Sequence, residues 1–174
     1  MTRTAVVVGA SSGIGRALAA ELADAGYEVG LAARRLSKLE SLGDDLATWS
    51  MAHLEERGGG HLVGISSVAG LFGNPVAPAY NASKAFVSRY LDGLRSRAAA
   101  ADADVTVTDV VPGFVDTEMA MGETFWMASP ETAAAQIHDA VRAERNRVYV
   151  TRRWRLVALL LRLLPESALR RLFD

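Results

Sequence analysis

A short β-branched run, Thr4–Val8, passes directly into Gly9-Ala10-Ser11-Ser12-Gly13-Ile14-Gly15 and then into a segment of helical periodicity. The run shows no polar alternation, which suits a strand covered on both faces. Ile14, Leu18 and Leu22 recur at four-residue spacing, and Gly26 stands where a helix stops. A strand buried on both sides and followed at once by a helix restricts the chain to layered α/β architectures.

The same alternation continues. Residues 27–32 read as a second strand, and 36–57 as a helix that Gly43-Asp44-Asp45 can divide in two. Gly58-Gly59-Gly60 stops it, and residues 61–66 form a third strand. A loop over 67–78, a helix over 79–101 and a strand over 105–111 ending at Pro112-Gly113 follow. Residues 114–129 read as a loop or lid carrying Phe125, Trp126 and Met127, either a pocket cap or a core or dimer contact. Ser129 is placed to cap a helix that has Pro130 at its first position, and a short strand over 148–151 precedes the tail. Strands alternating with helices predict a three-layer, doubly wound parallel sheet.

At 174 residues, the chain is read as one domain over 1–174, with a helical tail at 152–174. Half of its residues are hydrophobic and 22% are charged, which argues against disorder. The net charge of −1 gives no electrostatic footprint for nucleic acid. The absence of cysteine removes disulfides, thiol catalysis and cysteine-based zinc sites, and fits a cytoplasmic location. His53, His61 and His138 lack metal-ligand spacing and are expected to be structural or at the surface. No secretory signal opens the chain, and its longest uncharged apolar run, 156–161, falls far short of the ~20 residues a bilayer span needs. In the tail, Arg152-Arg153-Trp154-Arg155 precede a leucine run. Such a helix fits a membrane interface or packing on the domain or a second subunit, and packing is the expectation.

Two regions carry chemistry. Gly9, Ser11, Ser12, Gly13, Ile14 and Gly15 join a strand to a helix N-terminus, where unpaired N–H groups and a partial positive charge suit a phosphate. A site selective for NAD wants a carboxylate at the end of the second strand, for the ribose 2′-hydroxyl. Here stand Arg34 and Arg35, whose guanidinium groups match the 2′-phosphate of NADP; the alternative is a solvated basic helix start. Tyr80 and Lys84, at i and i+4, share a helix face, and an ammonium beside a phenol favours the phenolate. Such a tyrosine can exchange a proton with a carbonyl or alcohol oxygen, and Ser67 is placed to hydrogen-bond that oxygen.

The glycine loop, Ile65-Ser66-Ser67-Val68-Ala69-Gly70, Tyr80 with Lys84, and Pro112-Gly113 with Thr117 together closely resemble the short-chain dehydrogenase/reductase family. The resemblance covers residues 1–46 and 47–151 as two colinear blocks. It implies hydride transfer to or from a small carbonyl or alcohol substrate. Ser67 would polarise the carbonyl, Tyr80 would act as acid/base, and Lys84 would hold the ribose and tune the tyrosine. Pro112, Gly113 and Thr117 would border the nicotinamide. NADP is the expected cofactor, ahead of NAD.

One departure stands out. The family pattern has two further strand–helix units between the second strand and the serine strand, with an adenine-contacting aspartate, an Asn-Ala-Gly turn and a catalytic asparagine. Only residues 36–60 lie there, fewer than the ~30 that one strand–helix–strand unit takes. The chain therefore resembles a reductase with an internal deletion joined near Leu46–Ala47. Removing those strands from the family order leaves 2-1-3-4-5, a flavodoxin-like Rossmann variant, with the 36–57 helix on the face opposite the first helix. The excision predicts exposed apolar surface, hence a homo-oligomer, and retained dinucleotide affinity with weak or lost turnover. The alternatives are a non-catalytic dinucleotide-binding or scaffold protein, or an engineered deletion made to test the sheet.

Overall fold

Successive residues of the first strand enter opposite cores. Ala5 and Val7 of β1 (Thr4–Val8) pack with Leu18, Leu22, Val63, Val110, Ala133 and Ile137, whereas Val6 packs with Met51, Leu54, Leu62, Leu91, Leu94 and Val107. This is why the run lacks polar alternation: both faces of β1 are interior. The computed structural model describes residues 4–8, 13–32, 49–116 and 126–170.

The sheet comprises β1, β2 (Glu28–Ala32), β3 (Gly60–Ile65), β4 (Val105–Pro112) and β5 (Arg147–Val150), all parallel, in the order β2-β1-β3-β4-β5. The predicted order is therefore the observed one. β3 lies directly on β1, with Ala5 opposite His61, Val6 opposite Leu62 and Val7 opposite Val63. Helices α1 (Gly13–Asp24) and α4 (Pro130–Arg142) cover one face. Helix α2 (residues 49–56) and α3 (Pro78–Ala100) cover the other, so the end of the predicted 36–57 helix lies opposite α1 as expected. Residues 36–48, with Gly43 and the Leu46–Ala47 junction, lie outside the described residues.

Local signals explain most boundaries. Ser129 Oγ accepts from Thr132 N at 3.1 Å, capping α4, and Pro130 opens it. Gly58, Gly59 and Gly60 all have positive φ, and a Cβ on Gly59 would stand 2.5 Å from Asp104 O. The third strand starts one residue earlier than predicted and ends at Ile65, which frees Ser66 from the ladder. The following loop contains a 3₁₀ turn, Val68–Leu71. The 114–129 loop is pinned at its base by a bridge between Val115 and Ala128. The tail forms α5 (Trp154–Leu163) and α6 (Glu166–Arg170), and among the described residues no helix is long and apolar enough to cross a membrane.

The three histidines have structural partners. His53 stacks on Trp49, and His138 lies 3.3 Å from Glu21 between α1 and α4. His61 is buried, with Nε2 2.6 Å from Thr108 Oγ1, whose own hydrogen goes to Arg145 O at 2.6 Å. That network leaves Nε2–H as the donor, and burial lowers the ring's pKa from 6.5 to about 4, so it is neutral at pH 7. The unfolded chain takes up this proton near pH 6.5, while the folded one refuses it until about pH 4. Stability therefore falls as pH drops through that interval, by on the order of 3 kcal/mol from this group, and levels off below it. Urea denaturation of the wild type and of His61→Gln, which keeps an N–H donor for Thr108, will show a shallower pH slope for the variant.

Candidate active site

Because all five strands run parallel, the C-terminal ends of β1, β3 and β4 lie at one edge of the sheet. The winding reverses between β1 and β3, and open α/β sheets bind ligands at such a reversal, beyond the strands' C-terminal ends. Among the described residues, Gly13-Ile14-Gly15 open α1 after β1, Ser67 follows β3, and Pro112-Gly113 ends β4.

At the start of α1, Gly13 has φ +56°, a left-handed conformation that favours glycine. Gly15 is buried, and Ile14 packs against the core rather than facing solvent. The first turn of α1 carries no carboxylate, so nothing there opposes an anion. This part of the cradle fits a phosphate group. Gly9, Ser11, Ser12, Arg34, Arg35 and Thr117 lie outside the described residues.

Ser67 is buried in extended backbone and caps the 3₁₀ turn, with Oγ accepting from Ala69 N at 3.1 Å. Its hydroxyl points to Pro112 O at 3.4 Å, a long bond that ties the ends of β3 and β4. Tyr80 sits in the first turn of α3 with 43% of its surface exposed. One turn on, Lys84 Nζ donates to Ile65 O at 3.0 Å and lies 5.8 Å from the centre of the Tyr80 ring. The lysine thus joins the tyrosine's helix to the serine's strand, and all three predicted catalytic residues belong to one locality.

Several supporting residues escaped the sequence reading. Asp109, fully buried in β4, accepts from Ser66 Oγ (2.6 Å), Ser88 Oγ (2.6 Å) and Arg147 Nε (3.0 Å). Arg147 also reaches Asp92 Oδ1 at 3.2 Å. The cluster binds the residue next to Ser67, helix α3 and edge strand β5 to one carboxylate. An acid inside an apolar β-branched run was the available signal. Asn81, buried beside Tyr80, donates to Phe72 O at 2.9 Å and ties the loop before α3 to that helix. Gly70 lets the 3₁₀ turn touch α3, since a Cβ there would stand 2.8 Å from Ala85 N. Gly113 is packed by the Trp154 ring, which a Cβ would overlap, and Trp154 in turn meets Phe114 and Trp126 edge-on. Trp126 therefore belongs to an aromatic cluster at the start of α5; Phe125 lies outside the described residues.

The family model for short chain dehydrogenases matches residues 3–49 and 46–128. An uncharacterized oxidoreductase of Myxococcus xanthus (strain DK1622) is 30% identical over 210 aligned positions, covering 80% of this chain and 81% of that protein. SadH of Mycobacterium tuberculosis is 32% identical over 134 residues, 67% of this chain and 49% of that protein, so the chain spans about half of SadH's length. A short chain dehydrogenase from Burkholderia cenocepacia J2315, in complex with NADP, has a TM-score of 0.77 at 18% identity, covering 99% of this chain and 97% of that one. A short chain dehydrogenase/reductase from Burkholderia phymatum, in complex with NAD, has a TM-score of 0.62 at 18% identity, covering 91% and 92%. The solved structures establish the fold, a Rossmann-like parallel sheet flanked by helices. With the family match over most of its length, the chain belongs to the short-chain dehydrogenase/reductase family of oxidoreductases.

Removing one partner of the Asp109 cluster strands a buried charge. Arg147→Ala is expected to lower stability by about 3–5 kcal/mol in urea denaturation. Arg89→Ala, whose side chain is 87% exposed beside Asp92, should stay within about 0.5 kcal/mol of wild type.

Proposed function

We propose that this chain is a cytoplasmic oxidoreductase that moves hydride between a nicotinamide dinucleotide, NADP in preference to NAD, and a small carbonyl or alcohol substrate. One observation carries the reading: the Lys84 ammonium bonds the main-chain carbonyl two residues before Ser67 while lying beside the Tyr80 ring. Helix and strand are thereby held so that a proton donor and an oxygen-binding hydroxyl serve one locality.

Gly9, Ser11, Ser12, Gly13, Ile14 and Gly15 form the proposed pyrophosphate cradle at the N-terminus of α1. Arg34 and Arg35 take the 2′-phosphate. Pro112, Gly113 and Thr117 line the nicotinamide end, and the Trp154 ring packs on Gly113. When bound, the dinucleotide supplies the hydride donor or acceptor. Tyr80 gives its phenolic proton to the substrate oxygen in reduction and takes it back in oxidation. Lys84, beside the Tyr80 ring, holds the ribose. Ser67 exchanges its long bond to Pro112 O for one to the substrate oxygen.

The reading includes a single domain with strand–helix units missing near Leu46–Ala47. The two family-matched blocks that meet at 46–49 support it. With β3 against β1, the serine and tyrosine stand about one strand spacing, ~4.8 Å, from where the family resemblance would put them relative to the glycine loop. A displacement of ~1 Å can already lower a rate about 100-fold. Slow turnover with retained dinucleotide binding is therefore the expected behaviour, and this register favours, as a second reading, a dinucleotide-binding protein without catalysis.

Calorimetric titration with NADPH and NADH, followed by assays of nicotinamide absorbance against aldehydes and ketones, tests both readings. NADPH should bind more tightly than NADH, and Arg34→Ala with Arg35→Ala should weaken NADPH by about tenfold or more while sparing NADH. Tyr80→Phe should lower turnover by about 100-fold or more with binding intact. Binding of neither dinucleotide sinks both readings; tight binding with no turnover leaves only the second.

A further inference from the structure

Helix α5 has two unlike faces. Trp154 and Ala158 are buried, and Trp154 packs with Val68 and Val111 next to the turn after Ser67. On the opposite side Leu156, Leu159, Leu160 and Leu163 are 72%, 55%, 56% and 73% exposed. Their i, i+3, i+4, i+7 spacing puts all four within an arc of about 100°. Packing on the domain therefore accounts for only the inner half of this helix.

The flanks of the stripe are basic. Helical geometry places Arg155 and Arg162 along one border and Arg153 along the other, and all three are exposed. Arg153 also lies over the Trp126 ring, 5.5 Å from its centre, and Trp126 is itself half-exposed. No Asp or Glu occurs over residues 151–165. A second copy pairing through the same stripe would bring arginine borders together with no carboxylate on either helix to meet them. A negatively charged apolar boundary meets both features at once: leucines enter the acyl region while arginine stems lie along it and their heads reach phosphates.

We propose that α5 is a membrane-surface helix, which lays its leucine stripe into the interface of an anionic phospholipid bilayer without crossing it. The whole chain is tested by co-sedimentation with phosphatidylcholine vesicles, with and without phosphatidylserine. Binding should require phosphatidylserine and weaken as salt rises. Leu159→Glu with Leu160→Glu should abolish it, and Arg155→Ala with Arg162→Ala should weaken it by about tenfold or more. All four positions are exposed, so circular dichroism should be unchanged. Absence of vesicle binding overturns the proposal. So does equal binding to neutral vesicles that the arginine change leaves unaltered. Analytical ultracentrifugation showing a dimer that the leucine changes dissociate, with no vesicle binding, would assign the stripe to a second copy instead.

Discussion

Three residue pairs between β1 and β3 hold the rest of this structure in place. A strand buried on both faces cannot leave an edge unpaired inside the sheet without stranding its N–H and C=O groups away from water. Laying β3 directly on β1 satisfies those groups and lets Val6 and Leu62 face one core while Val7 and Val63 face the other. The same pairing sets where the winding reverses. On the second face, α2 and α3 together cover Val6, Leu62 and Val107.

Strand β4 shows how polar groups are kept inside such a sheet. Thr108 and Asp109 are both fully buried, and neighbouring positions on a strand point to opposite sides. On one side Thr108 links His61 to the carbonyl of Arg145; on the other Asp109 gathers Ser66, Ser88 and Arg147. The first arrangement is neutral and the second is charged, so only the second needs a guanidinium. It is also the one beside the candidate site, where it fixes Ser66 and the helix that bears Tyr80 and Lys84. The cluster braces the strand and helix that carry the residues proposed to act on a substrate.

Much of the architecture was legible because its signals are local. Apolar spacing identified the helices, β-branched runs the strands, and Ser129-Pro130 the start of α4. Ser67, Tyr80 and Lys84 were singled out as candidates by motif spacing together with the family resemblance. Asp109, Asn81, Gly70 and Trp154 were not, since each acts through partners distant in the chain: Asp109 on Arg147, Gly70 on Ala85, Trp154 on Gly113. The tail was legible as basic and leucine-rich, yet its two-sidedness emerged only once Trp154 and Ala158 were seen to take the inner face.

The amino-acid order by itself determined the succession of strands and helices and the glycine entry to α1, because these depend on residues within a few turns of each other, and it revealed the family through several such short motifs in a fixed order. Only the tertiary structure decided that Lys84 reaches the carbonyl of Ile65, that a buried carboxylate braces Ser66, and which leucines of α5 remain uncovered. Those outcomes depend on which surfaces meet when the sheet closes, and short-range propensity carries no information about a contact until packing has chosen it.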